Sequence, residues 1–208
     1  MDPRSSFVRN SHFVARGLFA PAELLALERA CGGGRQLPRP RRSLLTPGAA
    51  PEVLAFARDP RILALLEGLS RPGEAAIPRV RDIHYYAEQV TSDWDGDWHR
   101  DGQRADPEAD REGAATVVHA RVALVADACL EIVPGSHARP DSREERAVRK
   151  GSRRAGAMPG ALRVDLDAGD VCVFHAWSIH RATYRRTPPR RTLDVIYAFD
   201  EPRRSWPD

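Results

Sequence analysis

Apolar positions recur at helical spacing through the first third of the chain and at strand spacing beyond it. Phe19-Ala20-Pro21-Ala22-Glu23 predicts a proline-started helix carrying Leu24, Leu25, Leu27 and Ala30, stopped by Gly32-Gly33-Gly34. A linker rich in proline and arginine, Gln36 to Arg42, precedes two shorter helical patterns, Pro51 to Arg58 and Pro60 to Leu69. From Pro78 onward the runs are short and rich in β-branched and aromatic residues: Val80 to Tyr86, Thr116 to Val125, Leu130 to Val133, Leu162 to Leu166, Val171 to Phe174 and Thr192 to Phe199. Turn chemistry at Pro134-Gly135-Ser136 and Asp167-Ala168-Gly169-Asp170 separates these strands. The fold class expected is therefore mainly β, an antiparallel sandwich or barrel with flanking α-helices. The organisation expected is a single domain over 1–208, with a mostly helical part at 1–77 packed on a β core at 78–200. Within that core the charged, helix-prone stretch Ser142 to Lys150 and the Gly/Ser/Arg residues after it predict a mobile surface insertion at 140–161.

Composition narrows the setting. An apolar fraction of 42% with 29% charged residues over 208 positions suits one soluble globular domain. No run approaches the roughly 20 apolar residues of a membrane span. The opening Met1-Asp2-Pro3-Arg4 lacks a signal-peptide core, so the cytoplasm is the expected location and no membrane is expected as a partner. Cys31, Cys129 and Cys172 lie far apart without C-x-x-C spacing, which predicts reduced, buried thiols instead of a disulfide framework or a cysteine zinc site. The formal charge is only +3, and Lys150 is the single lysine among 32 basic residues. With no base-reading motif and no basic stripe interleaved with aromatics, nucleic acid is not the expected partner.

The chemistry begins at Trp98-His99-Arg100-Asp101-Gly102. In extended backbone His99 and Asp101 share a face with Cα atoms about 6.5 to 7 Å apart, so an imidazole and a carboxylate can converge on one ion while Arg100 points away. Far along the chain, the stretch from Gly169-Asp170 to Phe174-His175-Ala176-Trp177-Ser178-Ile179-His180 supplies distant histidines, and Arg190-Arg191-Thr192-Leu193 follows. One His-carboxylate pair plus one distant histidine makes a facial triad that leaves adjacent coordination positions open. An arginine on the strand after the distal histidine offers the planar fork that a carboxylate requires. Arg121 occupies a strand position expected to face the same cavity, as a cationic contact to a cofactor or an anionic substrate. Tyr85 and Tyr86 lie on a strand expected to wall it, Tyr86 as a cofactor contact and Tyr85 as a substrate contact. Trp177 and Gln103 are further candidate substrate contacts. Trp94 and Trp98, with Asp93, Asp95 and Asp97, suggest a mobile lid or a solvated loop. His12, His84 and His119 are expected to be ordinary packing or surface residues.

Three motifs in order resemble the phytanoyl-CoA dioxygenase family over about Trp98 to Phe199. Trp98-His99-Arg100-Asp101 is similar to that family's W-H-x-D. Cys129 through Pro134-Gly135-Ser136-His137 is similar to its G-x-L-x-x-x-P-G-S-H, and Gly169-Asp170 through His180 to its G-D-x-x-x-F-H-x-x-x-x-H. The N-terminal helices fit the family only loosely. The resemblance implies a double-stranded β-helix core of jelly-roll or cupin-like form. It also implies a non-haem iron(II) dioxygenase that uses 2-oxoglutarate and O2 as co-substrates and releases succinate and CO2. The implied ligands are His99, Asp101 and His180. His175 falls at a non-ligand position, and His137 is a structural residue of its turn. Arg190 is the implied 2-oxoglutarate anchor, with the Thr192 hydroxyl as its partner, and Arg191 stands as the alternative because the spacing from His180 is one residue short. Asp101 matters further: related halogenases carry a small residue there, so a carboxylate implies hydroxylation or another oxidation such as desaturation. The substrate class implied is a small organic molecule; the compact size and arginine-rich composition suggest natural-product tailoring. A cupin-like metal-binding protein without catalysis is the alternative.

Overall fold

The computed structural model describes residues 3–32, 42–43, 51–67, 69, 78–87, 90, 92–101, 117–151, 156–187 and 190–199. Ten strands and five α-helices occur among them: α1 (Pro3–Asn10), β1 (His12–Ala15), α2 (Pro21–Ala30), β2 (Arg42–Ser43), α3 (Pro51–Ala57), α4 (Pro60–Leu66), β3 (Arg79–Tyr86), β4 (Trp94–Asp95), β5 (Val117–Ala123), β6 (Asp127–Ile132), α5 (Arg143–Lys150), β7 (Leu162–Leu166), β8 (Val171–His175), β9 (His180–Tyr184) and β10 (Thr192–Ala198). They form a six-stranded sheet ordered β1-β8-β5-β10-β3-β2 and a four-stranded sheet ordered β4-β9-β6-β7. Every pairing is antiparallel. From β5 to β10 the chain passes back and forth between the two sheets, which makes the jelly roll expected from the sequence.

Alternation along the strands of the larger sheet divides its two faces. Ile83, Tyr85, Val118, Ala120, Val122, Leu193, Val195 and Tyr197 share one apolar cluster with Phe19, Leu24, Leu27, Val53, Ala57, Ile62 and Leu66 of the helical part. Burying each such large side chain stabilises the fold by roughly 1.5 to 3 kcal/mol. The Tyr197 hydroxyl, buried in this layer, donates to the Ala57 carbonyl at 2.6 Å and fixes the end of α3 to β10. On the opposite face Ala123, Cys172 and Phe174 pack against Leu130, Ile132, Val164 and Leu166 of the smaller sheet. All three cysteines are buried and none forms a disulfide, as expected.

Two turns lock the roll. Gly169 has φ +91°, and a Cβ there would lie 2.2 Å from the Phe19 carbonyl oxygen, so only glycine fits. The adjacent Asp170 carboxylate accepts from the backbone N–H groups of Gly17 and Asp167, both at 2.8 Å, and from Arg16 at 2.6 Å. These contacts tie the chain before α2 to the turn that starts β8.

The insertion differs from expectation where it is described. Helix α5 forms, but it is pinned: Ser142 caps it through the Glu145 N–H, Arg139 pairs with Glu145 at 2.6 Å, and Arg149 pairs with Asp141 at 2.7 Å. Val148, Met158 and Ala161 pack with Trp98, Val133 and Ile179 behind the candidate site. The described part of the stretch packs against the roll, because its apolar residues have a partner surface that sequence spacing does not reveal. The segment around Trp94 and Trp98, expected to be a mobile lid or a solvated loop, is anchored at both tryptophans. Trp98 is buried and its indole N–H donates to the Gly156 carbonyl at 2.8 Å, while Trp94 stacks on Tyr184 with ring centroids 3.9 Å apart. Asp95 pairs with Arg185 at 2.7 Å.

Candidate metal and 2-oxoglutarate site

His99 and His180 face each other as an isolated antiparallel bridge, each donating its backbone N–H to the other's carbonyl at 3.0 Å. Asp101 follows, held by its N–H on the Ala176 carbonyl at 2.9 Å. One ligand atom from each of His99, Asp101 and His180 lies within 4.8 Å of the others. His99 Nε2 is 3.5 Å from Asp101 Oδ1, and His180 Nε2 is 3.4 Å from Asp101 Oδ2.

The histidines are oriented for a metal by their backbones. His99 Nδ1 lies 2.7 Å from the Asp97 carbonyl and His180 Nδ1 lies 2.9 Å from the Ser178 carbonyl, which fixes both ring planes and turns each Nε2 toward Asp101. Desolvation and the neighbouring His180 push His99 down to about 4, which keeps it a neutral ligand. Burial opposes ionisation of Asp101, but His180 and His119 outweigh it and hold the carboxyl well below its ordinary range. Two imidazoles and a carboxylate are a donor set that fits iron(II).

Residues behind the ligands set their positions. Arg100 does point away, as the alternation predicted: its guanidinium donates to the Ser136 carbonyl at 2.8 Å, to the Trp177 carbonyl, and to Asp141 at 2.9 Å. Ser136, fully buried in the Pro-Gly-Ser-His turn, donates to the Val133 carbonyl at 2.7 Å and accepts from the Ile179 N–H at 2.8 Å. That hydroxyl fastens the residue next to His180. His175 accepts from the Trp177 N–H at 3.0 Å and packs against Phe7 and His137, in keeping with the non-ligand role expected of both histidines.

Deeper in the roll lie two buried arginines. Arg190 donates from Nε to the Thr192 hydroxyl at 3.1 Å, and its guanidinium carbon sits 3.9 Å from the Tyr86 ring centroid and 5.7 Å from that of Tyr184. Its Nη1 and Nη2 have no acceptor among the described residues. Arg121 pairs through Nη2 with Asp194 at 3.1 Å, and its Nε and Nη1 likewise lack an acceptor. Orphaned guanidinium donors in a buried space are what an anionic group such as a carboxylate of 2-oxoglutarate would satisfy. Arg191 turns the other way, onto Glu28 of α2. Strand alternation at β10 separates the two arginines, and Arg190 is the one inside.

One residue expected here is elsewhere. Tyr85 belongs to the helix-facing cluster, where burial pushes its phenol up to about 12; a one-residue shift along β3 reverses the face, so it does not line the cavity. Gln103 lies outside the described residues. Trp177 is half-buried beside the triad, with the Arg100 guanidinium 5.5 Å from its ring.

His119 was expected to be ordinary packing, and it is not. Its Nε2 lies 3.0 Å from Asp101 Oδ2 and its Nδ1 lies 3.1 Å from Asp194 Oδ1. Burial opposes its charge, but Asp194 and Asp101 prevail and push it up to about 9. Asp194, held well below its ordinary range by His119 and Arg121 in spite of burial, was not singled out at all. A signal existed: His119, Arg121, Thr192 and Asp194 alternate with apolar residues on two strands, and polar groups on a face that must be buried require partners.

The model of the phytanoyl-CoA dioxygenase (PhyH) family matches residues 41–193. Among curated proteins nothing matches the chain in sequence. Solved structures are similar in fold. HygX from Streptomyces hygroscopicus, with nickel and 2-oxoglutarate bound, superposes with a TM-score of 0.73 at 18% identity over 92% of this chain and 84% of its own. AviO1 from Streptomyces viridochromogenes Tue57 gives 0.68 at 21% identity, over 97% and 94%. The non-haem, α-ketoglutarate-dependent epimerase SnoN from nogalamycin biosynthesis gives 0.65 at 23% identity, over 94% and 79%. With residues 41–193, most of its length, matched by the family model, the chain belongs to the phytanoyl-CoA dioxygenase family.

Proposed function

We propose that this protein is an iron(II)- and 2-oxoglutarate-dependent oxygenase that oxidises a small organic molecule, with His99, Asp101 and His180 holding the metal. Arg190 grips the C5 carboxylate of 2-oxoglutarate in this proposal, with Thr192 fixing the guanidinium, Tyr86 supporting its face, and Arg121 adding a second cation to the pocket. The observation that carries the proposal is the pairing of the triad with a buried guanidinium whose two Nη groups have no acceptor among the described residues.

When bound, iron and 2-oxoglutarate supply the oxidising power, O2 being reduced as the 2-oxo acid decarboxylates to succinate and CO2. The residues of this chain do the rest. The carbonyls of Asp97 and Ser178 keep each Nε2 aimed inward. Asp101 offsets part of the metal charge, and its carboxylate occupies the space a halide would need, which favours hydroxylation or a related oxidation. Phe174, Leu130 and Ile132 exclude water from the depth of the roll. Trp177, three residues before His180, remains a candidate substrate contact in this proposal.

Natural-product tailoring is the context we favour. HygX has been solved with hygromycin B, SnoN with nogalamycin RO, and SnoK is a carbocyclase of nogalamycin biosynthesis. Residues 1–208 forming a single dioxygenase domain, and a cytoplasmic location, belong to the same proposal. No helix among the described residues is long and apolar enough to cross a membrane. Succinate formation from 2-oxoglutarate in air tests the reading: we expect iron-dependent turnover, slow alone and faster with an accepted substrate. Folded, iron-loaded protein that never consumes 2-oxoglutarate, with or without candidate substrates, would point to the non-catalytic alternative.

A further inference from the structure

Asp194 and Arg121 stand directly opposite each other in the β10–β5 pairing, and His119 lies two residues before Arg121 on the same face. One Asp194 oxygen meets His119 Nδ1 at 3.1 Å, and the other meets Arg121 Nη2 at 3.1 Å. The far nitrogen of His119 reaches Asp101 Oδ2 at 3.0 Å. Phe174 fixes both planes, with its ring 4.6 Å from the His119 ring at 19° and 5.3 Å from the Arg121 guanidinium carbon. The side chains of His119, Arg121 and Asp194 are 7%, 5% and 2% exposed, so no water competes freely for these contacts.

We infer that Asp194 is a positioning residue that acts in two directions, through His119 on the carboxylate of Asp101 and through Arg121 on the cationic pocket. This rests on the metal and 2-oxoglutarate reading above. Asp101 stands at the edge of the roll, in no strand, and a carboxylate there is free to rotate. His119 fixes the rotation by engaging Oδ2, so that Oδ1 is presented toward His99. Asp194 fixes His119 in turn, because an imidazole with one anchored nitrogen cannot tilt away. The same carboxylate takes one edge of Arg121 and leaves Nε and Nη1 for an incoming anion. A mere structural ion pair would need Arg121 and Asp194 alone; the continuation to Asp101 is what couples the pair to the metal position. Partners behind a metal ligand are commonly worth 10- to 100-fold in affinity.

The test uses the full chain loaded with cobalt(II), titrated by its visible absorption, and then 2-oxoglutarate titrated calorimetrically into the cobalt protein. His119→Phe is expected to weaken cobalt about 10- to 100-fold and to leave 2-oxoglutarate, measured at saturating cobalt, within about threefold. Arg121→Gln is expected to do the reverse. Asp194→Asn is expected to weaken both, and the double variant H119F/D194N to lose no more cobalt affinity than the worse single one. Cobalt binding by H119F within twofold of the wild type overturns the inference, as do losses that multiply in the double variant. Should D194N not fold, the opposite selectivity of H119F and R121Q decides alone, and its absence counts against the link. Wild-type protein that binds no cobalt sinks the metal-site reading itself, an outcome distinct from intact binding that ignores position 119.

Discussion

Replacing Arg190 with methionine would remove a buried cation while keeping most of the side chain's length and apolar contact with Tyr86. Two orphaned Nη groups give the C5 carboxylate a two-point, charge-assisted contact. A hydrogen bond to a charged group is worth about 1.5 to 3 kcal/mol net, and the diacid's carboxylate would be left unpaired in the roll. A combined loss of about 3 to 4 kcal/mol corresponds to about 100- to 1,000-fold in the dissociation constant of 2-oxoglutarate. The contrast is with Arg191→Met, which breaks a half-exposed pair with Glu28 on the other face and should leave that constant within about twofold. A second consequence separates binding from folding. Because Arg190 is buried without acceptors for Nη1 and Nη2, the methionine variant should unfold thermally at or above the wild-type midpoint, yet lose the upward shift that 2-oxoglutarate gives the wild type. Anaerobic calorimetry on metal-loaded protein and a thermal melt measure both. An R190M protein that binds 2-oxoglutarate within fivefold of the wild type, or an R191M protein that loses as much, would refute the assignment.

Other expectations follow from the scaffold. Ser136→Ala strands the Ile179 N–H and should cost about 1 to 3 kcal/mol in urea unfolding, with weaker cobalt binding because His180 is the next residue. Gly169→Ala forces a Cβ against the Phe19 carbonyl at positive φ and should destabilise by at least about 2 kcal/mol, read as a lowered urea midpoint. Asp170 is the acid-sensitive lock. Burial opposes its ionisation, but the Gly17 and Asp167 N–H groups and Arg16 outweigh it and lower its carboxyl below the ordinary 3.8. A depressed carboxylate stabilises fully above the unfolded value and loses that contribution as pH falls through the folded one. The urea midpoint of the wild type should therefore drop more between pH 5 and pH 3 than that of Asp170→Asn, and equal slopes would exclude Asp170 as a cause.

Much of this was legible before any coordinates, and the reasons are local. β7 spans Leu162–Leu166, as its apolar alternation predicts, and α2 starts at the proline that marks it. The pair at His99 and Asp101 could be read because two donors on one extended face are a short-range pattern. β9 was not foreseen, since His180-Arg181-Ala182-Thr183-Tyr184 has no apolar run and is strand only by pairing with β4 and β6. α1 was missed for a similar reason: Pro3–Asn10 buries only Phe7. The choice between Arg190 and Arg191 turned on one residue of register, which is fixed by pairing with β5 and β3 and not by composition. His119 and Asp194 were hidden because their partners come from three separate stretches, and a buried polar residue declares its purpose only once those stretches meet.

The central claim is that His99, Asp101 and His180 hold one iron(II) ion while the basic pocket behind them holds 2-oxoglutarate on it. Adding iron(II) and 2-oxoglutarate together under anaerobic conditions tests it most directly, by visible absorption. The account predicts a weak charge-transfer band that needs both additions and is absent from folded His99→Ala and His180→Ala proteins. A folded, iron-loaded wild type that shows no band, or variants that keep it, would contradict the account.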